Sequence, residues 1–342
     1  PCGNLYVYLQ FEHRRTKCRI TRKVRYEPLD WLSSTPGYTK RFAYYVGKRC
    51  QSSTIKEVAE ELHLDWKTVK NLEKEYMAEK LRRAGPVNAS VIGIDEISIK
   101  RGHNYRIIIS DLENKRPIWF GGTDRSEASL DLFYGSLNSL QKDNLRLVVM
   151  DMWKAFRKST RKNVPHAAIL FDKFHILRHL NEALDKIRKQ EYKKLDGKDK
   201  RFIKGKKYTL LSRRANLNTT GKKALRDLFK VNRRLNKAYI LKEQFDQLWT
   251  YSREAWARKF FEKWKESLKW QRLKPYESFA RLIETHWDGI ASYCKPENKV
   301  PLGYVEGINN KIRVIQRRAY GLKDENYLQL KILTCTLPDF SE

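Results

Sequence analysis

The nine residues Val91-Ile92-Gly93-Ile94-Asp95-Glu96-Ile97-Ser98-Ile99 constrain this chain more than any other stretch. Apolar, rich in β-branched side chains and bounded upstream by Gly85-Pro86, they read as a buried strand. A carboxylate sits inside that strand at Asp95. Burying an ionised carboxylate among apolar residues is costly unless it is paired or binds a metal. A second apolar run, Leu145 to Met150, ends directly at Asp151, and a third acid, Glu306, lies far downstream in Gly303-Tyr304-Val305-Glu306-Gly307-Ile308-Asn309-Asn310. Taken singly, Asp95 reads equally well as a strand-end acid bonded to backbone or to an arginine. Taken together, two strand-borne aspartates and a distant glutamate suggest a divalent-metal site assembled from separate elements.

The surrounding pattern says what kind of sheet this is. Strands are expected at 90–97, 104–110, 116–120, 145–150 and 167–171, with helices at 127–140 and 152–162. Two antiparallel strands after the first, then a helix, then a strand ending in an acid, suit a ribonuclease-H-like α/β core. In such a core, helices cover both faces of the sheet, and near-continuous apolar strands follow. Upstream, Thr54-Ile55-Lys56-Glu57 is a capping box that starts a helix. Leu62-His63-Leu64 then turns, and Asp65 caps a second helix carrying Val69 and Leu72. This pair reads as a helix-turn-helix whose second helix offers Trp66, Lys67, Lys70 and Lys74 to DNA, against the plainer alternative of a helical hairpin with a solvated basic face. Glu79 to Val87 reads as a linker. Residues 1–30 read as a small basic β-ribbon in which Cys2 and Cys18 are remnants of a zinc ribbon. Tetrahedral zinc needs four ligands, and Cys18-Arg19-Ile20-Thr21 lacks the second cysteine of a pair, so structural zinc is doubtful.

Charge names the partner. The 342 residues carry a formal +31, which points to a nucleic-acid backbone. Residues 173–300 hold 34 Lys and Arg against 15 Asp and Glu, a net +19, together with five of the nine tryptophans. Their helical periodicity reads as an all-α domain inserted into the core, its basic surface (Lys204, Lys206 and Lys207 among it) facing a polyanion and most of its tryptophans packing its own interior. Five scattered cysteines fit a reducing compartment. No apolar segment reaches membrane-spanning length and no signal-peptide pattern opens the chain. The start at Pro1-Cys2-Gly3 without Met leads us to expect residues before it.

Phosphoryl transfer to water or a sugar hydroxyl can be run by two divalent ions about 4 Å apart, and magnesium prefers carboxylate oxygens. Asp95 can bridge both ions, with Asp151 and Glu306 completing one each. Arg313, seven residues after Glu306, shares its helical face and can hold a phosphate. Asp172 ends a strand and can cap the helix that follows. His175 and His179, at i and i+4, form a possible metal pair without a third ligand; a structural or DNA-orienting role near the active edge fits Asp172 and His175 better.

At these residues the chain resembles the DDE-class bacterial insertion-sequence transposases of the ISL-three family. The resemblance is carried by Gly93-Ile94-Asp95-Glu96, Val149-Met150-Asp151-Met152-Trp153, Asp172-Lys173-Phe174-His175, Tyr304 to Arg313 and Arg317-Arg318-Ala319-Tyr320-Gly321-Leu322, and it runs from about Cys18 to Leu337. It implies a ribonuclease-H-like core interrupted by an α-helical insertion, and an Asp95, Asp151, Glu306 triad holding two Mg2+ ions, with Mn2+ as a substitute. It also implies an N-terminal zinc ribbon, from which this chain departs at Thr21. The expected layout is a degenerate zinc-ribbon-like segment over 1–50, a helix-turn-helix over 51–85, the core over 86–175 and 301–342, and the all-α insertion over 176–300. The expected function is a transposase that binds the terminal inverted repeats of its element, cleaves at the ends and joins the freed 3′-hydroxyl to target DNA. It would work as a homodimer or higher oligomer on DNA in the bacterial cytoplasm, at the nucleoid, without a membrane. The alternatives are a catalytically impaired, transposase-derived DNA-binding regulator and a ribonuclease-H-like nuclease.

Overall fold

A computed structural model describes residues 7–100, 104–195, 200–301, 303–320 and 322–340, which divide into two compact units. Cys2 and Gly321 lie outside the described residues. The first unit spans residues 1–84 and takes in two C-terminal segments, Arg318–Leu330 and Pro338–Glu342; the second spans Gly85–Arg317 and Lys331–Leu337. The stretch 301–342, expected as one piece of the core, is thus shared between both.

The first unit opens with an exposed hairpin, β1 (Arg15–Lys17) paired antiparallel to β2 (Val24–Tyr26). Three helices follow: α1 (Lys40–Ser52), α2 (Ile55–Leu62) and α3 (Trp66–Ala84). The capping box at Thr54 is formed in both directions, His63 makes the left-handed turn at φ 49°, and Asp65 Oδ1 accepts the Lys67 N–H at 2.8 Å. Helix α1 is not among the expected elements. Its buried positions, Ala43, Val46, Gly47 and Cys50, keep helical spacing, but small residues give a weak apolar signal. Gly47 is required because a Cβ there would meet the Tyr76 side chain at 2.2 Å, so α1 and α3 touch backbone to ring. The linker expected from Glu79 is instead the last turns of α3. They stay helical because Tyr76, Met77 and Lys80 are still buried.

What buries them is the chain's own C-terminus. Tyr327 packs with Tyr76 and Met77 and donates its hydroxyl to buried Glu73. Asp339 accepts from Lys80 Nζ, Tyr76 OH and Gln51 Nε2, each at 2.8 Å. Asp324 accepts from Lys70 Nζ at 2.8 Å and Lys74 Nζ at 3.1 Å.

In the second unit, β3 (Val91–Lys100), β4 (Asn104–Asp111) and β5 (Arg116–Gly121) form an antiparallel meander. Helices α4 (Glu127–Ser136) and α5 (Ser139–Asp143) follow, then β6 (Leu147–Met150), α6 (Lys154–Asn163) and β7 (Ala168–Phe171). The sheet order is β5-β4-β3-β6-β7, with β3, β6 and β7 parallel. The single helix expected over 127–140 is two, because Asn138 accepts the Gln141 N–H and caps a fresh start. After β7 the described elements are helical: α7 (Lys173–Lys194), α8 (Lys200–Ile203), α9 (Lys207–Leu211), α10 (Thr219–Val231), α11 (Arg233–Phe245), α12 (Glu254–Glu266), α13 (Lys274–Thr285), α14 (Trp287–Ala291), α15 (Gly303–Arg318) and α16 (Glu325–Thr334), the last shared with the first unit, with short 3-10 turns between. Trp264 is buried, Trp249 and Trp287 pack against the same core, and Trp256 and Trp270 stand exposed. Among the described residues no helix is long and apolar enough to cross a membrane.

The Asp324 carboxyl is held below the usual aspartate range, first by Lys70, then by the Tyr327 N–H and Lys74. Its contribution is therefore complete above about pH 4, the ordinary aspartate value, and is lost as pH falls through the depressed folded value. Asp324→Asn is expected to lower stability by about 1 kcal/mol at neutral pH, because the ion pairs are partly solvated. The difference from wild type shrinks below about pH 4, which chemical denaturation across pH measures.

Candidate active site

The strand register brings the aspartates together. Gly93 of β3 pairs with Val149 of β6, and Met150 of β6 pairs with Phe171 of β7. Carried forward, the same register puts Asp95, Asp151 and Asp172 in one row across three adjacent parallel strands, midway along β3 and just past the ends of β6 and β7. Asp95 Oδ1 accepts the Glu96 N–H at 2.7 Å, and its Oδ2 accepts Asn309 Nδ2 at 2.5 Å. Asp151 Oδ1 accepts the Met152 N–H at 2.6 Å, and its Oδ2 faces His175 Nδ1 at 3.2 Å. Asp172 caps α7 through the Phe174 N–H at 2.8 Å, as expected for a strand-end acid before a helix.

Helix α15 reaches this edge because β3 has no side chain at Gly93. A Cβ there would meet Val305 Cγ2 at 2.9 Å, and Val305 is buried with Val91, Leu147, Val149 and Leu170. The next residue is Glu306, exposed, and one turn on is Asn309. It is Asn309 that touches Asp95 directly. Arg313 is exposed a further turn along. Sequence reasoning passed over Asn309, although its i+3 spacing from Glu306 puts both on one face.

The electrostatics of the edge are those of crowded acids. Burial pushes the Asp95 carboxyl up, with the neighbouring Asp172 charge adding to it against the Glu96 N–H, His175 and Asn309. Asp172 is likewise raised by burial and by the charges of Asp151 and Glu306. Burial works against Asp151 too, but His175 outweighs it and holds that carboxyl low. Asp151 in turn raises the His175 imidazole. A cation suits this setting. The donors are carboxylate oxygens, and the Asn309 Oδ1 is buried without a hydrogen-bond partner among the described residues. As the side chains stand, no three such groups among the described residues converge on one metal position.

The remaining expected site residues are spread over both units. Trp66 is 53% exposed, with Lys67 Nζ 5.8 Å from its ring centroid. Lys70, expected to face DNA, is instead half-buried against Asp324. Lys204 and Lys207 are exposed and Lys206 half-buried around α8 and α9. His179 faces Glu182 at 3.6 Å, one turn from His175. Cys18 is free and exposed, its Sγ accepting the Thr21 N–H at 3.4 Å. Cys2, the other cysteine of the expected ribbon, lies outside the described residues.

A mixed five-stranded sheet with acids in one row across its parallel strands, in a chain that also carries a helix-turn-helix, defines a ribonuclease-H-like enzyme that works on DNA. A family model described as "Transposase" matches residues 92–332, and one described as "Helix-turn-helix domain of transposase family ISL3" matches residues 27–77, taking in α1. The chain is 31% identical over 335 residues to the transposase for insertion sequence element IS1001 of Bordetella parapertussis, covering 97% of this chain and 82% of that one. It is 24% identical to the transposase for insertion sequence element IS1557 of Mycobacterium tuberculosis, covering 95% and 78%. The chain belongs to the ISL3 family of insertion-sequence transposases.

Asn309 orients Asp95, so Asn309→Ala is expected to lower DNA cleavage about ten- to a hundredfold, the range for a partner that positions a metal ligand. Binding of DNA ends in a gel-shift assay should stay near wild type.

Proposed function

We propose that the chain binds the terminal inverted repeats of its own element, cleaves at the ends and transfers the freed 3′-hydroxyl to target DNA. The observation that carries this reading is the row of Asp95, Asp151 and Asp172, with the Glu306 helix seated against β3 through Gly93. Two divalent cations, magnesium or manganese, would be held by Asp95, Asp151 and Glu306 and would stabilise the attacking and leaving oxygens of an in-line displacement. The chain's own residues prepare that edge. His175 fixes the Asp151 carboxylate through Nδ1, Asn309 fixes Asp95, and Asp172 sets the start of α7 so that His175 faces inward. Arg313, on the Glu306 face of α15, is the group we assign to a substrate phosphate. In the first displacement a water oxygen bonds to phosphorus and the 3′-oxygen leaves; in the second that 3′-oxygen bonds to a target phosphorus and the target strand's own 3′-oxygen leaves.

Two further assignments complete the reading. Helices α1 to α3 carry repeat recognition, with Trp66 and Lys67 at the DNA and Lys70 holding the C-terminal segment. The helical block 176–300 is an insertion in the core that lies along DNA by its charge, and the protein acts as a dimer or higher oligomer.

The decisive experiment is cleavage of a duplex bearing the element's own ends in magnesium. Asp95→Asn, Asp151→Asn and Glu306→Gln should each abolish cleavage while repeat binding changes little. Wild-type cleavage by any of them removes that residue from the triad.

Changing Lys204, Lys206 and Lys207 together to Gln tests the basic block. The slope of log affinity against log salt should flatten by up to about 3, one for each phosphate that a lysine no longer neutralises. An unchanged slope means this cluster does not meet DNA.

A further inference from the structure

Beside the acids stands a cluster that none of the roles above uses. Arg125, in the loop between β5 and α4, has its guanidinium carbon 4.5 Å from the Tyr105 ring centroid and 4.8 Å from that of Trp153. Its Nη1 donates to Glu96 Oε1 at 2.7 Å. The loop is fixed at both ends. Asp124 Oδ1 accepts from Ser126 N at 2.9 Å and Ser129 Oγ at 2.6 Å, and Trp153 Nε1 donates to the Arg125 carbonyl at 2.8 Å. Glu96 is the residue after Asp95, and Trp153 follows Asp151 by two, so the column is tied by chain to two acids of the row.

The spare capacity of the column points outward. Among the described residues Arg125 Nε and Nη2 have no partner, and the side chain is 34% exposed. Trp153 stays 42% exposed although its N–H and one contact to its ring are taken by Arg125. A planar guanidinium presents a two-pronged fork that matches a phosphate, and stacking between rings holds the fork in one plane. An exposed indole beside it is a platform for a base.

We propose that Arg125 anchors a backbone phosphate of the DNA strand next to the cleaved bond, and that the exposed ring of Trp153 stacks on the base attached to it. This rests on the reading of the acid row as the cleavage site. Tyr105 and Glu96 are positioning residues, holding the guanidinium from its inner face and from Nη1.

The test uses the full chain and a duplex of the element's end with 2-aminopurine at each base flanking the cleavage point. Without metal, the wild type should quench one of these bases. Trp153→Tyr should keep that quench and Trp153→Leu should lose it; an unchanged quench in Trp153→Leu overturns the stacking. In magnesium, Arg125→Gln should cleave at least about tenfold more slowly with end binding nearly unchanged, as expected for losing a fixed donor to the reacting strand. Adding Glu96→Gln separates the two roles of Arg125. A double variant that still cleaves slowly supports the phosphate contact, and one restored to the wild-type rate overturns it, because the guanidinium would then serve only to neutralise Glu96. Should Arg125→Gln fail to fold by circular dichroism, Arg125→Lys keeps the charge without the fork; slow cleavage supports the proposal and a wild-type rate refutes it. If the wild type itself does not cleave, the cleavage reading fails, while the metal-free quench still reports the strand contact.

Discussion

The cost of drawing carboxylates partly out of water is the constraint around which the second unit is built. Three parallel strands bring acids to matching positions, and burial raises two of the three. Each is held by a different device: Asp95 by an amide from α15, Asp151 by an imidazole from α7, Asp172 by the Phe174 N–H in the first turn of α7. The two helices that supply these partners are separated by more than a hundred residues of chain, yet both are pinned to the same sheet. The β7–α7 junction leaves no slack, and α15 is admitted by a missing side chain at Gly93. The row exists because the register is fixed, and the register is fixed because Val91, Leu147, Val149 and Leu170 share one buried layer with Val305.

Much of this was legible in the sequence. All five strands of the sheet fall where β-branched apolar runs predict them, since a strand buried on both faces writes a continuous signal. The capping box at Thr54 and the cap at Asp65 are chemical signatures that can be read directly. Helix α1 cannot, because its inward face is built from Ala, Gly, Cys and one Val, and its closeness to α3 depends on the size of Gly47 rather than on any apolar stripe. Lys70 shows a different limit. Its place on the helix is as expected, but its partner Asp324 comes from 254 residues away, and no local pattern announces such a pairing. The same holds for Arg125, a loop residue whose surroundings are assembled from β3, β4 and the segment after β6.

The tryptophans divide along the same line. Trp264 donates its N–H to the Leu241 carbonyl inside the core, and Trp249 and Trp287 lie against that core. Trp270 is 96% exposed on a left-handed backbone at φ 66°, a conformation that costs a bulky side chain free energy. Composition alone treats all of these residues alike; only tertiary packing separates structural indoles from those left facing outward.

The C-terminal segment in the first unit has a consequence for how the molecule is made. On the ribosome α1, α2 and α3 emerge well before Asp339, whose carboxylate accepts from Lys80, and before Tyr327, whose hydroxyl donates to Glu73. The helix-turn-helix unit is therefore synthesised long before its packing is completed. A premature stop between Asp324 and Asp339, far from the helix-turn-helix in the gene, is a lesion in the DNA-binding unit of the protein.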